Sequence, residues 1–177
     1  MGAQVVITAV GEDRPGLVGG MSRFIFEHGC NLEDSRMAIL GGEFAMLILV
    51  SGEPEALRGL VEGLEAESAR SGLAIQAKHT EGLEAKPRQG ALPYDVCAYS
   101  MDHPGIVQRV TSLLADRKVN IRALETRLSH AAHTGQPLFS LHAQVEVPAG
   151  ESVAGLRRAL EEIGALENID IEMKRSG

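Results

Sequence analysis

Cysteine is scarce in this 177-residue chain: only Cys30 and Cys97 occur, far apart and in apolar surroundings. A disulfide framework or a zinc site needs clustered cysteines, so both are expected to be reduced core residues. Tryptophan is absent and aromatics make up 3% of the chain, yet there are no polar or Pro/Gln tracts of the kind that mark disorder, and 44% apolar residues support an ordinary packed core. Positive charge is the minority, 17 Lys+Arg against 24 Asp+Glu for a net −7, with no basic run. Nucleic-acid affinity comes largely from neutralising phosphates with Lys and Arg, so direct nucleic-acid binding is not expected. No run approaches the roughly 18 apolar residues of a membrane span, and the start MGAQVVITAV has no basic leader. Val6 stands where a myristoylation signal would want Ser or Thr. A folded protein of the cytoplasm, with no membrane partner, is the expectation.

What is present is a repeat. Gly11-Glu12-Asp13-Arg14-Pro15-Gly16-Leu17-Val18 returns 89 residues later as Ser100-Met101-Asp102-His103-Pro104-Gly105-Ile106-Val107, and Asn31-Leu32 returns at the same offset as Asn120-Ile121. Twelve residues separate the Val from the Asn in both copies. Between them Leu17, Val18, Met21, Phe24 and Ile25 match Ile106, Val107, Val110, Leu113 and Leu114, an apolar stripe at helical period. Asp13 and Asp102 stand where an N-cap belongs, with Pro15 and Pro104 in the first turn, where a missing N–H costs nothing.

Strand-like runs at 4–10 and 94–100 precede these helices. After them come extended pairs, 32–40 with 43–51 joined at Gly41-Gly42, and 121–129 with 138–147 joined by a longer loop, 130–137. Second helices are expected at 55–71 and 152–164, and closing strands at 73–79 and 169–173. The order βαββαβ, twice, predicts an α+β protein of two ferredoxin-like domains, each an antiparallel sheet with helices on one face. The domains are expected at 1–80 and 93–177, with a Gly-, Pro- and charge-containing linker at 81–92. Phe44–Val50 is apolar on both faces, whereas Phe139–Val147 alternates and turns Ser140, His142, Gln144 and Glu146 away from the core. The first sheet therefore has a second face to cover, by the other copy or another chain, and a homodimer is expected.

The Asp-x-Pro-Gly turn opens a helix whose first N–H groups are unpaired and partly positive, and Gly16 and Gly105 lack the Cβ that would hold a ligand off. That suits a small carboxylate. Asn31 and Asn120 begin the following strands with an amide that both donates and accepts, so turn and amide together fit the carboxylate and ammonium of an amino acid. The same residue types are also what a ferredoxin-like repeat needs merely to fold.

No nucleophile–base pair, acid–base pair or set of metal ligands stands out, so no enzymatic activity, cofactor or metal is expected. His130 and His133 have H-x2-H spacing but lack a third ligand and read as an exposed loop. His142 reads as solvated or interfacial, and His103, inside the motif, either senses charge or is a turn residue. Gly41-Gly42 has neither the Lys nor the strand–loop–helix setting of a phosphate loop.

The D-x-P-G-[LI]-V turn, the Asn-[Ile/Leu] after the helix and the tandem βαββαβ order resemble ACT domains, small ferredoxin-like regulatory modules, over nearly the whole chain outside the linker and ends. NLEDSRMAILGGEFAMLILV, residues 31–50, resembles more narrowly a stand-alone double-ACT type of transcriptional repressor. The resemblance implies that amino acids, glycine or serine foremost, bind where two ACT domains meet, between the strand-to-helix turn of one and the Asn-bearing segment of another. Carried over residue by residue, the ligand-binding candidates are Asp13, Pro15, Gly16, Leu17, Asn31 and Leu32, with Asp102, His103, Gly105, Ile106, Asn120 and Ile121. It also implies a regulator without a DNA-binding domain that acts through a transcriptional activator protein, glycine opposing repression. The alternative is an ACT-type dimerisation or docking scaffold that regulates a metabolic enzyme without a ligand of its own. The copies differ at Arg14/His103 and Gly29/Lys118, so the two sites should not bind alike.

Overall fold

The computed structural model describes residues 3–80, 90–131 and 134–176, and the chain divides into two compact units between Ala85 and Lys86. In the first unit β1 (Ala3–Glu12), α1 (Leu17–Glu27), β2 (Asn31–Leu40), β3 (Glu43–Gly52), α2 (Pro54–Ser71) and β4 (Ala74–Thr80) follow in order. The second repeats them as β5 (Leu92–Met101), α3 (Ile106–Asp116), β6 (Asn120–His130), β7 (Pro137–Val147), α4 (Val153–Glu167) and β8 (Asp170–Arg175). Each sheet is antiparallel, ordered β2-β3-β1-β4 and β6-β7-β5-β8. This is the βαββαβ pattern the sequence implied, twice.

Alternation explains which face of each sheet is buried. Val5, Ile7 and Ala9 of β1 and Phe44, Met46, Ile48 and Val50 of β3 pack with Met21, Ile25, Leu57, Leu60 and Leu64 of the two helices. Val96, Ala98, Leu141, Ala143 and Val145 do the same with Val110, Leu114, Leu156 and Leu160. Each fully buried aliphatic side chain contributes about 1.5–3 kcal/mol through loss of hydrated surface. Val18 departs from the expected stripe and is 40% exposed. The opposite faces differ: Val6, Val10, Leu47 and Leu49 lie on that of the first sheet, with Leu47 48% exposed, while Asp95, His142 and Glu146 lie on that of the second.

Several local expectations change. Gly16 and Gly105, not Asp13 and Asp102, are the N-cap residues, and Pro15 and Pro104 precede the helices instead of entering their first turns. The aspartate backbones serve elsewhere: Asp13 N donates to Gly42 O and Asp102 N to Pro137 O, both at 3.1 Å, tying each turn to its hairpin. Leu73 and Ile169 lie just before their closing strands, buried as those strands leave the helices. The second hairpin is longer than expected, its strands taking His130 and Pro137, and Leu92 and Pro93 already belong to β5. Linker positions 81–89, and His133 of the H-x2-H pair, lie outside the described residues. Cys97 is half-buried on the outer side of β5, opposite His142, instead of in the core.

Candidate functional site

Both strand-to-helix turns have one backbone solution. Gly16 adopts φ 97°, ψ −8° and Gly105 φ 102°, ψ −10°, a left-handed conformation that a Cβ disfavours. Neither helix receives a side-chain cap from the described residues, so the amides of each first turn are left without an intrahelical acceptor. Asp13, Pro15 and Gly16 are exposed, as are Asp102 and Gly105, while Leu17 and Ile106 are buried and hold their turns to the core. Apart from its chain neighbours, no heavy atom of the described residues lies within 4 Å of where a Cβ on Gly16 would stand, so its side toward solvent is open space among them.

The first turn borders an open pocket of about 340 Å³ between the start of α1 and the end of α2, lined by Arg14, Gly16, Gly20, Glu67, Arg70 and Leu73 among others. Arg14 donates through Nη2 to Ser71 O, one of the terminal carbonyls of α2. Glu67, 4% exposed, accepts from Arg70 Nε at 2.8 Å and Nη2 at 2.7 Å. At the second turn His103 replaces Arg14; its Nδ1 lies 3.3 Å from Pro104 O, and its Nε2 is buried without a partner among the described residues.

The Asn-bearing ends are built around β-bulges that leave Glu33 and Arg122 unpaired in their ladders. Asn31 Nδ2 donates to Glu33 Oε1 at 2.9 Å, and Ser51 Oγ donates to the same oxygen. Those bonds, Ser51 first and Asn31 second, hold the Glu33 carboxyl below its ordinary pKa. In the second unit Asn120 Nδ2 donates to Glu146 Oε2 at 3.2 Å and Arg122 Nη1 to Glu146 Oε1 at 3.4 Å. Sequence inspection singled out the asparagines but not these anchors, whose signal lay in acids placed beside or across from them.

Register separates the two halves of the candidate set within one unit. Asn31 pairs with Ser51 and Ser51 with Gln4 at the beginning of β1, whereas the Asp-x-Pro-Gly turn follows the end of β1. Eight residues of strand, at roughly 3.3 Å each, put about 26 Å between them. The second unit repeats this through Asn120, Glu146 and Pro93.

Neither thiol is activated as a nucleophile. Burial first, then Asp95 and Glu172, pushes the Cys97 thiol up despite the opposing Lys174, and burial raises that of Cys30. His142 Nε2 is engaged with Asp95 Oδ1 at 3.2 Å. Among the described residues no three His, Cys, Asp or Glu side chains are grouped to hold a metal, and no helix is long and apolar enough to cross a membrane.

Two ferredoxin-like βαββαβ units, each with a glycine-capped strand-to-helix turn, define the chain as a tandem protein of ACT type. The ACT domain family model matches residues 3–78. The glycine cleavage system transcriptional repressor of Escherichia coli (strain K12) is 31% identical over 157 residues, 89% of this chain and 82% of that protein. The crystal structure of an unknown protein from Galdieria sulphuraria is similar over 100% of both chains, at TM-score 0.83 and 28% identity. Another crystal structure, provisionally described as a glycine cleavage system transcriptional repressor, covers 98% of this chain and 97% of its own at TM-score 0.74 and 25% identity. The chain belongs to the ACT-domain family of glycine cleavage system transcriptional repressors, a family of regulatory proteins.

Proposed function

We propose that this protein is a non-enzymatic, cytoplasmic amino-acid sensor whose two domains, 1–80 and 93–177, control transcription through a protein partner, a transcriptional activator, without touching DNA. Family membership supports the regulatory role, and the net charge of −7 disfavours phosphate binding. The observation that carries the sensing role is the pair of left-handed glycine turns at uncapped helix N-termini, open to solvent at Gly16 beside a pocket large enough for a small amino acid. Asp13, Pro15, Gly16 and Leu17 shape that turn, and Asp102, His103, Gly105 and Ile106 its repeat. Asn31 with Leu32 and Asn120 with Ile121 supply amides too far from the turn of their own domain to share its ligand, so a ligand held by both elements is held by two domains. A homodimer supplies such pairings, and the apolar outer face around Leu47 and Leu49 favours one.

Linkage requires the amino acid to prefer one assembly over another, and a coupling of about 1–3 kcal/mol makes a usable switch. Isothermal titration with glycine, serine and the remaining amino acids, with chain mass measured in the same buffer, tests this. Saturable heat for one or two small amino acids, together with an amino-acid-dependent pull-down of an activator, is expected. Silence across the panel with constant partner affinity would leave the docking scaffold as the better reading.

A further inference from the structure

The two strand-to-helix turns share a backbone but not an opening. We infer that the first unit alone is open to a free amino acid at this turn, with Arg14, Arg70 and the α1 amides receiving its carboxylate, and that Arg109 closes the second. This rests on the sensing role proposed above and deepens it.

The difference begins at one position. Gly20 lines the first pocket and, its own helix backbone and chain neighbours apart, has no heavy atom of the described residues within 4 Å of where its Cβ would stand. Its counterpart 89 residues on is Arg109, whose Nε lies 3.0 Å from Glu167 Oε1 and 4.0 Å from where a Cβ on Gly105 would stand. The space that is empty at Gly16 is thus bounded by a guanidinium at Gly105. Counted back from the left-handed C-caps Gly72 and Asn168, Glu167 replaces Ser71, Leu166 replaces Arg70 and Ile163 replaces Glu67. The first unit keeps its ion pair in the pocket wall, whereas the second stretches one from its first helix to the end of its second.

The first pocket also matches both ends of an amino acid. A guanidinium has five N–H donors; Arg14 directs Nη2 to Ser71 O, and Arg70 directs Nε and Nη2 to Glu67, leaving donors on each for a carboxylate. Each Glu67 oxygen accepts from Arg70 and retains a lone pair for an ammonium. In the second unit Leu166 and Ile163 offer neither group.

Titration of the full chain with glycine and serine reads the number of sites and their affinity. The natural chain is expected to bind one amino acid per chain, and Gly20→Arg to weaken it by about tenfold or more, with its far-UV circular dichroism retained because the site is roomy and Arg suits a helix. Arg109→Gly combined with Glu167→Ser is expected to add a second, weaker site. Two equal sites in the natural chain, or Gly20→Arg affinity within about twofold of it, overturns the inference and leaves the sensing role standing. No saturable heat in either the natural chain or the opened variant overturns the inference, and silence with the remaining amino acids as well overturns the sensing role. Should Gly20→Arg fail to fold, the site counts of the natural chain and the opened double variant decide: one and two support the inference, and an unchanged count overturns it.

Discussion

The first and second units place the same Asp-x-Pro-Gly turn on the same sheet, yet surround it with different charge. The first unit buries Glu67 against Arg70 beside an open turn, whereas the second has Ile163 and Leu166 there and runs the Arg109–Glu167 pair along its helix ends. At the opposite end of each sheet Asn31 leans on a glutamate from its own bulge, and Asn120 on one from the neighbouring strand that Arg122 also engages. A duplicated fold therefore keeps its backbone requirements, the left-handed glycine and the bulge, while the ionic groups around them diverge. Backbone geometry has few solutions, but a charge can be balanced from any neighbouring element.

The strongest test of the kinship is in the cores. Leu60→Ala and Leu156→Ala, both at fully buried positions, should each cost about 2–5 kcal/mol, measured by urea unfolding; a much smaller cost in one unit would show that its core can collapse around the void. The ion pairs should separate the units next. Arg70→Leu strands Glu67 in the interior and should destabilise by about 1–3 kcal/mol, with Glu67→Ile added to it recovering most of the loss, since the second unit is built that way. Arg109→Leu should cost about 0–1 kcal/mol, because that pair is partly solvated; equal losses in the two would erase the distinction.

Gly16→Ala and Gly105→Ala should each cost about 1–2 kcal/mol through their shared left-handed backbone, with no steric contribution at Gly16 because its Cβ direction is empty. The smallest effect concerns pH. Because the folded-state pKa of Glu33 is lowered, its contribution is complete above the ordinary glutamate value and is lost as pH falls through the lower folded one. The Asn31 side-chain amide, followed by NMR, should hold its position until the solution is more acidic than the ordinary glutamate range. Movement within that range would mean that Ser51 and Asn31 do not hold the ionised form.

Much of the fold could be read directly. The 89-residue repeat, the stripe at Leu17, Met21 and Ile25, and the alternation in Phe139–Val147 each follow from a period of 3.6 or 2, and the structure honours them. Local rules misled where long-range contacts compete. Asp13 has an N-cap side chain, but its backbone is drawn to Gly42 and the cap passes to Gly16, a choice that depends on a hairpin 29 residues away. Within the candidate site, the residue types at the turns and at Asn31 and Asn120 were visible from their repetition. Arg70, Glu67, Arg109 and Glu167 were not, because they come from helices that read as ordinary charged faces until packing brings their ends to the turns.

By itself the sequence determined the duplication, the order of elements, the core-facing residues and the glycines that permit each turn, since these depend on periodicity and on conformations only certain residues adopt. Only the tertiary structure decided that turn and asparagine lie at opposite ends of their sheet, and that one turn is open while the other faces an arginine. Strand register and helix packing set those distances, and both are settled by contacts between residues that the chain keeps far apart.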